Sequence, residues 1–184
     1  MVISLRNIVK PPGVGCEPGL RPRQPNEERD EGVISISDLK DVADFAPTVA
    51  ARGWRAWWQD SDVSLSQYTA GIQSMARSGR LPLALVAHEG SRYVGSVLLV
   101  ESDLEERPQY TPWIAALWVE PEFRRRGIAA RLISEARLRA GLFGYACCHL
   151  CAEPEKSAFY VARGFCLLEV GVAGLHVFAI SGSG

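Results

Sequence analysis

The stretch that most limits what this chain can fold into runs from Trp113 to Arg139, WIAALWVEPEFRRRGIAARLISEARLR. Trp113 to Val119 is an uninterrupted apolar and aromatic run, the pattern of a strand covered on both faces. Pro121 has no amide hydrogen to give to a ladder, so the strand is expected to end near Glu120. Beyond it, Ile128, Leu132, Ala136 and Ala140 recur at helical spacing on one stripe, with Arg131, Glu135 and Arg139 elsewhere. Glu135 and Arg139 stand at the favourable i, i+4 spacing, and Gly141 is the expected stop.

The turn between strand and helix is Arg124-Arg125-Arg126-Gly127-Ile128-Ala129. Gly127 lets the backbone come close to a ligand, and the first amides of a helix have no partners within it. Free amides, a glycine and three arginines together make a holding site for phosphate or pyrophosphate. A triple-arginine run standing alone would read as a solvated basic turn. Its place directly between a buried strand and an amphipathic helix favours the anion site.

A second segment, Pro154 to Phe165 (PEKSAFYVARGF), reads as a short helix. Pro154 suits a first helical turn, and Gly164 suits the left-handed residue that ends one. Read alone, Tyr160 is an amphipathic-helix residue with its hydroxyl at a solvent edge.

Together the two segments resemble the GNAT superfamily of acyl-CoA-dependent N-acyltransferases. The family's motif A, Arg/Gln-x-x-Gly-x-Gly/Ala, is matched by Arg124, Gly127 and Ala129, and its FYxxxGF motif by Phe159 to Phe165. The resemblance spans residues 33 to 184 and implies a coenzyme A site. Its amides from Arg125 through Arg126, Gly127, Ile128 and Ala129 to Ala130 would grip the pyrophosphate. It also implies that Leu117, Trp118 and Val119 pair with the pantetheine arm like an extra strand. Tyr160 would lie beside the coenzyme sulfur and act as general acid. Many members carry an asparagine seven residues before that tyrosine. Here Glu153 stands there, with Ser157 as a partial substitute.

Composition narrows the alternatives. A chain of 184 residues suits one domain with a sizeable core, and 47% hydrophobic with 22% charged residues is ordinary for a globular protein. A net charge of −1 argues against a general nucleic-acid binder, so any basic function is local. No apolar stretch reaches the length of a membrane span, and the start, MVISLRNIVKPPG, is too short an apolar segment for a secretory signal. Val14-Gly15-Cys16 lacks the hydrophobic region that a lipoprotein signal needs, and a cytoplasmic location is expected. The five cysteines, clustered at Cys147, Cys148 and Cys151 with Cys16 and Cys166 apart, read as reduced thiols. If Tyr145 to Ala152 is a strand, Cys148 and Cys151 face opposite sides. Cys147 and Cys151 share a face but stand roughly 13 Å apart, too far for one zinc. No metal is expected.

Taken in order, residues 1 to 32 are expected to form a loosely packed or disordered tail, with five of the eleven prolines between Lys10 and Pro25. Val33 to Ile36 alternates as a short strand, and Lys40 to Gln59 is helical with an interruption at Pro47. Trp54, Trp57 and Trp58 fall on one helix face there. Such a stripe is core in most proteins, whereas the resemblance makes this region a wall of the acceptor pocket. Asp60 and Asp62 either attract an amine or simply separate two helices. A second helix starts at Ser64 or Ser66 and runs to Arg77, closed by Ser78-Gly79. Leu83 to Glu89 and Tyr93 to Glu101 form a hairpin around Gly90-Ser91, and Phe165 to Val172 and Leu175 to Ile180 form another around Ala173-Gly174. The expected fold is α/β, a GNAT-like mixed and mostly antiparallel sheet of about seven strands with helices on both faces.

No Ser-His-Asp or Cys-His constellation stands out, and acyl transfer to an amine needs no enzyme nucleophile. Backbone amides near Val119 would polarise the thioester, as the resemblance implies. The base is left among Glu101, Asp103, Glu120 and His88 or a water relay, with Glu120 named for base or water positioning. The function expected is N-acetyl transfer from acyl-CoA to a primary amine of a small molecule or peptide, by direct attack. A non-catalytic acyl-CoA-binding module is the alternative, and an RNA or DNA module lacks the basic and aromatic interleaving it would need. A homodimer is compatible with this reading.

Overall fold

The computed structural model describes residues 32–77 and 79–182. The tail expected before Gly32, Cys16 and the helix-closing Ser78 fall outside the described residues. A seven-stranded mixed sheet forms the centre: β1 (Ser35–Asp38), β2 (Leu83–Glu89), β3 (Arg92–Val100), β4 (Trp113–Val119), β5 (Cys147–Ala152), β6 (Cys166–Val172) and β7 (Leu175–Ser181). Its order is β1-β2-β3-β4-β5-β7-β6. Every neighbouring pair is antiparallel except β4 with β5.

Four α-helices among the described residues cover the two faces: α1 (Ala46–Trp57), α2 (Leu65–Met75), α3 (Ile128–Leu142) and α4 (Ser157–Val161). On the α3 side, Leu83, Leu85, Val97, Ile114 and Leu150 pack against Ile128, Leu132, Ala136 and Ala140. On the α1 and α2 side, Val86, Leu98, Trp113 and Ala115 pack against Val49, Ala50, Trp58 and Ile72. β2, β3 and β4 are therefore buried on both faces, which is why their sequences read as continuous apolar runs.

Local chemistry explains the boundaries. Ser64 caps α2 in a reciprocal box with Gln67, and Gly90 (φ 56) turns the β2–β3 hairpin. Pro47 sits in the first turn of α1, where its missing amide hydrogen costs nothing, so it starts this helix rather than interrupting one. Gly141 lies inside α3, and the left-handed residue after the helix is Gly144 (φ 89). Arg139 pairs with Glu135 at 2.9 Å, as their spacing predicts.

One ion pair ties α1 to the end of β4. Arg52 Nε donates to Glu120 Oε1, and Glu120 is only 8% exposed. Removing the arginine strands a buried carboxylate, a change that costs about 3–5 kcal/mol in fully buried pairs. Arg52 is partly solvated, so Arg52→Met is expected to cost about 2 kcal/mol, read as a Tm lower by about 4–8 °C. An unchanged Tm would mean that water replaces the guanidinium at no cost.

Candidate coenzyme and acceptor site

After β4 the chain makes a 3-10 turn at Pro121–Phe123, and Phe123 is buried in the core under α3. Phe123 and Ile128 pin both ends of the turn, and Arg124 to Gly127 bridge them at the surface. Arg125 (φ 64) and Gly127 (φ 77) are both left-handed. For an arginine that conformation is uncommon and costs on the order of 1 kcal/mol or more, a strain that clusters at ligand-holding turns. The first helical bond runs from Arg131 N–H to the Gly127 carbonyl, and no side chain caps the helix. The amides of Ile128, Ala129 and Ala130 thus precede the α3 ladder. A Cβ placed on Gly127 would meet no protein atom within 4 Å, so the space beside this residue at the start of α3 is open.

The three arginines do different things. Arg124 turns back, its Nε donating to the Val119 carbonyl at 2.9 Å and its guanidinium lying 5.2 Å from the Trp118 ring centre. Its amide is also engaged, by the Pro121 carbonyl at 3.3 Å. It braces the turn against β4. Arg126 lies over Phe123 at 5.6 Å, and Arg125 is exposed.

β4 itself is irregular where the resemblance puts the thioester arm. Ala115 pairs with Leu98 and Trp118 with Ser96, so two residues of β4 face one of β3, and Ala116 is left-handed (φ 48). This bulge turns Leu117 toward the α3 side and leaves Ala116 and Trp118 on the α1 side. On its other edge β4 pairs with β5 through Trp113 and His149, joined by His149 N–H to the Pro112 carbonyl at 2.9 Å. Past that pair the two strands separate toward Val119. The base of the split is held by Tyr110, which stacks on His149 (4.6 Å between ring centres) and accepts from Trp113 Nε1 through its carbonyl at 2.6 Å. Trp118 Nε1 is buried without a partner in the protein, a donor left over for a ligand.

Tyr160 of α4 stands on the α3 side of this split, its ring 5.6 Å from Phe165 and 5.7 Å from Phe178. Burial raises its phenol to about 12, with Cys151 and Asp103 adding to the rise. It is protonated at neutral pH. On the α1 side, Cys151 Sγ donates to Asp103 Oδ2 at 3.4 Å. Desolvation lifts the Asp103 carboxyl to about 7, and the Cys151 thiol is raised by burial and by the same carboxyl. Ser157 is already engaged, donating to the Pro154 carbonyl at 2.6 Å and lying 3.0 Å from His176 Nδ1.

The other candidates scatter. Glu120 is held by Arg52. His88 lies at the β1–β2 edge, bonded to Ser37 and to the Gly90 carbonyl, and Glu101 is exposed. The three tryptophans do not share one surroundings: Trp58 is core, 3% exposed against Tyr68. Trp54 donates to the Val63 carbonyl at 2.7 Å. Trp57 alone of the three is surface-exposed, meeting Trp118 edge-on at 6.3 Å. Packing on Tyr68 takes the Trp58 side chain inward. Cys148 packs on the α3 side and Cys151 on the α1 side, following strand alternation. Among the described residues, no group of three His, Cys, Asp or Glu side chains is placed to hold a metal ion, and no helix is long and apolar enough to cross a membrane.

The site is thus a mixed α/β sheet split between its parallel strands, with an uncapped helix start at the open end. Residues 82–166 match the family model for the Acetyltransferase (GNAT) domain. Solved structures agree in fold. The GNAT family N-acetyltransferase YhbS of Escherichia coli, solved with CoA, is 21% identical over 89% of this chain and 86% of its own, with a TM-score of 0.57. YncA of Salmonella typhimurium, a putative acetyltransferase solved with acetyl-CoA, is 18% identical over 83% and 95%, at 0.59. An aminoglycoside 6'-N-acetyltransferase complexed with coenzyme A is 13% identical over 82% and 98%, at 0.62. No curated relative matches the sequence.

Proposed function

We propose that this protein transfers an acetyl or other acyl group from acyl-CoA to a primary amine by direct attack, within a domain spanning residues 33–184. One observation carries the reading: the open amides of Ile128 to Ala130 stand at the wide end of the β4–β5 split, and Tyr160 borders that split. The amides hold the pyrophosphate, and Leu117 to Val119 receive the pantetheine arm. The thioester then lies beside Tyr160, which protonates the departing thiolate. Trp57 and the free Nε1 of Trp118 border the acceptor side. The co-substrate agrees with a cytoplasmic location.

The test is thiol release from acetyl-CoA with a panel of primary amines, among them an aminoglycoside, a polyamine and a peptide with a free N-terminus. Release that depends on the amine is expected. Coenzyme A binding with no amine-dependent release would leave a non-catalytic acyl-CoA-binding module.

A further inference from the structure

We propose that Asp103 is the general base for the acceptor amine, a role that rests on the transferase reading above. The argument begins with position. Asp103 lies in the loop between β3 and β4, and its carboxylate accepts the Cys151 thiol on β5, two residues past the pair that closes the split. Tyr160 from α4 and Tyr68 from α2 both feel its charge. Tyr160 belongs to the α3 side and Cys151 to the α1 side, so an acid and a base flank one slot from opposite faces.

The alternatives are engaged elsewhere. Glu120 is paired with the Arg52 guanidinium. Asp103 has a weak thiol donor instead of a cation as its hydrogen-bond partner, and its carboxyl is raised to about 7 by desolvation. A base poised near neutrality is strong enough to take a proton and still ionised in part at physiological pH.

The step balances. The amine arrives as an ammonium and gives one proton to the Asp103 carboxylate, which passes it to solvent. The neutral nitrogen attacks the thioester carbonyl carbon; the C–N bond forms, and the C–S bond breaks with its electron pair on sulfur. Sulfur takes the phenolic proton of Tyr160, and the second proton shed by nitrogen restores the phenol.

The experiment is kcat/KM against pH for the parent, Asp103→Asn and Cys151→Ala, with acetyl-CoA and the amine panel. The parent should lose activity on the acid side with a midpoint near 7. Asp103→Asn should fall by about 10²–10⁴-fold at neutral pH and lack that limb, climbing about tenfold per pH unit as solvent deprotonates the amine. Coenzyme A affinity should stay unchanged. Because the Cys151 bond lowers the carboxyl, Cys151→Ala should move the limb to higher pH.

A readout without turnover accompanies these. A folded carboxyl raised above its unfolded value makes the fold less stable as pH climbs from about 4 to about 7. Asp103→Asn should therefore melt above the parent at pH 8 and level with it at pH 4. A midpoint that stays near 7 in Asp103→Asn, or one that ignores Cys151→Ala, overturns the assignment. No amine-dependent release by the parent at any pH overturns the transferase reading and the base with it.

Discussion

Tyr160→Phe should lower turnover at saturating acetyl-CoA and acceptor by about 10² to 10⁴-fold while leaving coenzyme A affinity as it is. Phenylalanine keeps the ring and therefore the contacts with Phe165 and Phe178. What it removes is a proton. A thiol of ordinary pKa about 8.5 leaves poorly as a bare anion where the site desolvates it. A phenol raised to about 12 is fully protonated there, although in water its proton would move uphill to such a thiolate. The desolvation that raises the phenol raises the proton affinity of the departing sulfur as well, so the two remain comparable where they meet. Turnover equal to the parent would make Tyr160 a packing residue and water the acid. Loss of coenzyme binding along with turnover would make it a ligand contact.

Gly127→Glu should weaken coenzyme A binding by about 100-fold or more, measured by calorimetry. Its side chain would enter the open space beside Gly127 at the start of α3 and bring a negative charge to the place proposed for the pyrophosphate. The lost charge-assisted bonds are worth about 1.5–3 kcal/mol before any repulsion is counted. Gly127→Ala separates charge from backbone. At φ 77 any Cβ is strained, by about 1–2 kcal/mol. A methyl adds no charge, so the alanine variant should melt lower yet keep coenzyme affinity within about tenfold. Unchanged affinity in Gly127→Glu would remove the turn from the site.

Local chemistry was enough to read much of this protein. The run at Trp113–Val119, ended by Pro121, gave away a strand buried on both faces, and the stripe from Ile128 to Ala140 its covering helix. Gly90 and the Ala173-Gly174 pair marked both hairpins, since positive φ at those positions is a local requirement. The turn at Arg124–Ala129 and the segment at Tyr160 were legible as motifs for the same reason: backbone freedom and helix termini act within a few residues.

Tertiary structure decided the rest. That β7 lies between β5 and β6 depends on how a finished hairpin docks, and no residue of Cys166–Ser181 encodes that choice by its spacing. The bulge at Ala116 arises where two residues of β4 face Val97 alone across the sheet, and the β4–β5 split opens beyond the Tyr110–His149 stack. Arginines that look alike in sequence separate into a brace, a cover for Phe123 and an exposed cation. Asp103 was one of four acidic or histidine residues near strand ends. Only the approach of β5 and the helices lifts its carboxyl away from the ordinary range, because desolvation is a property of what surrounds a group and not of its neighbours in the chain.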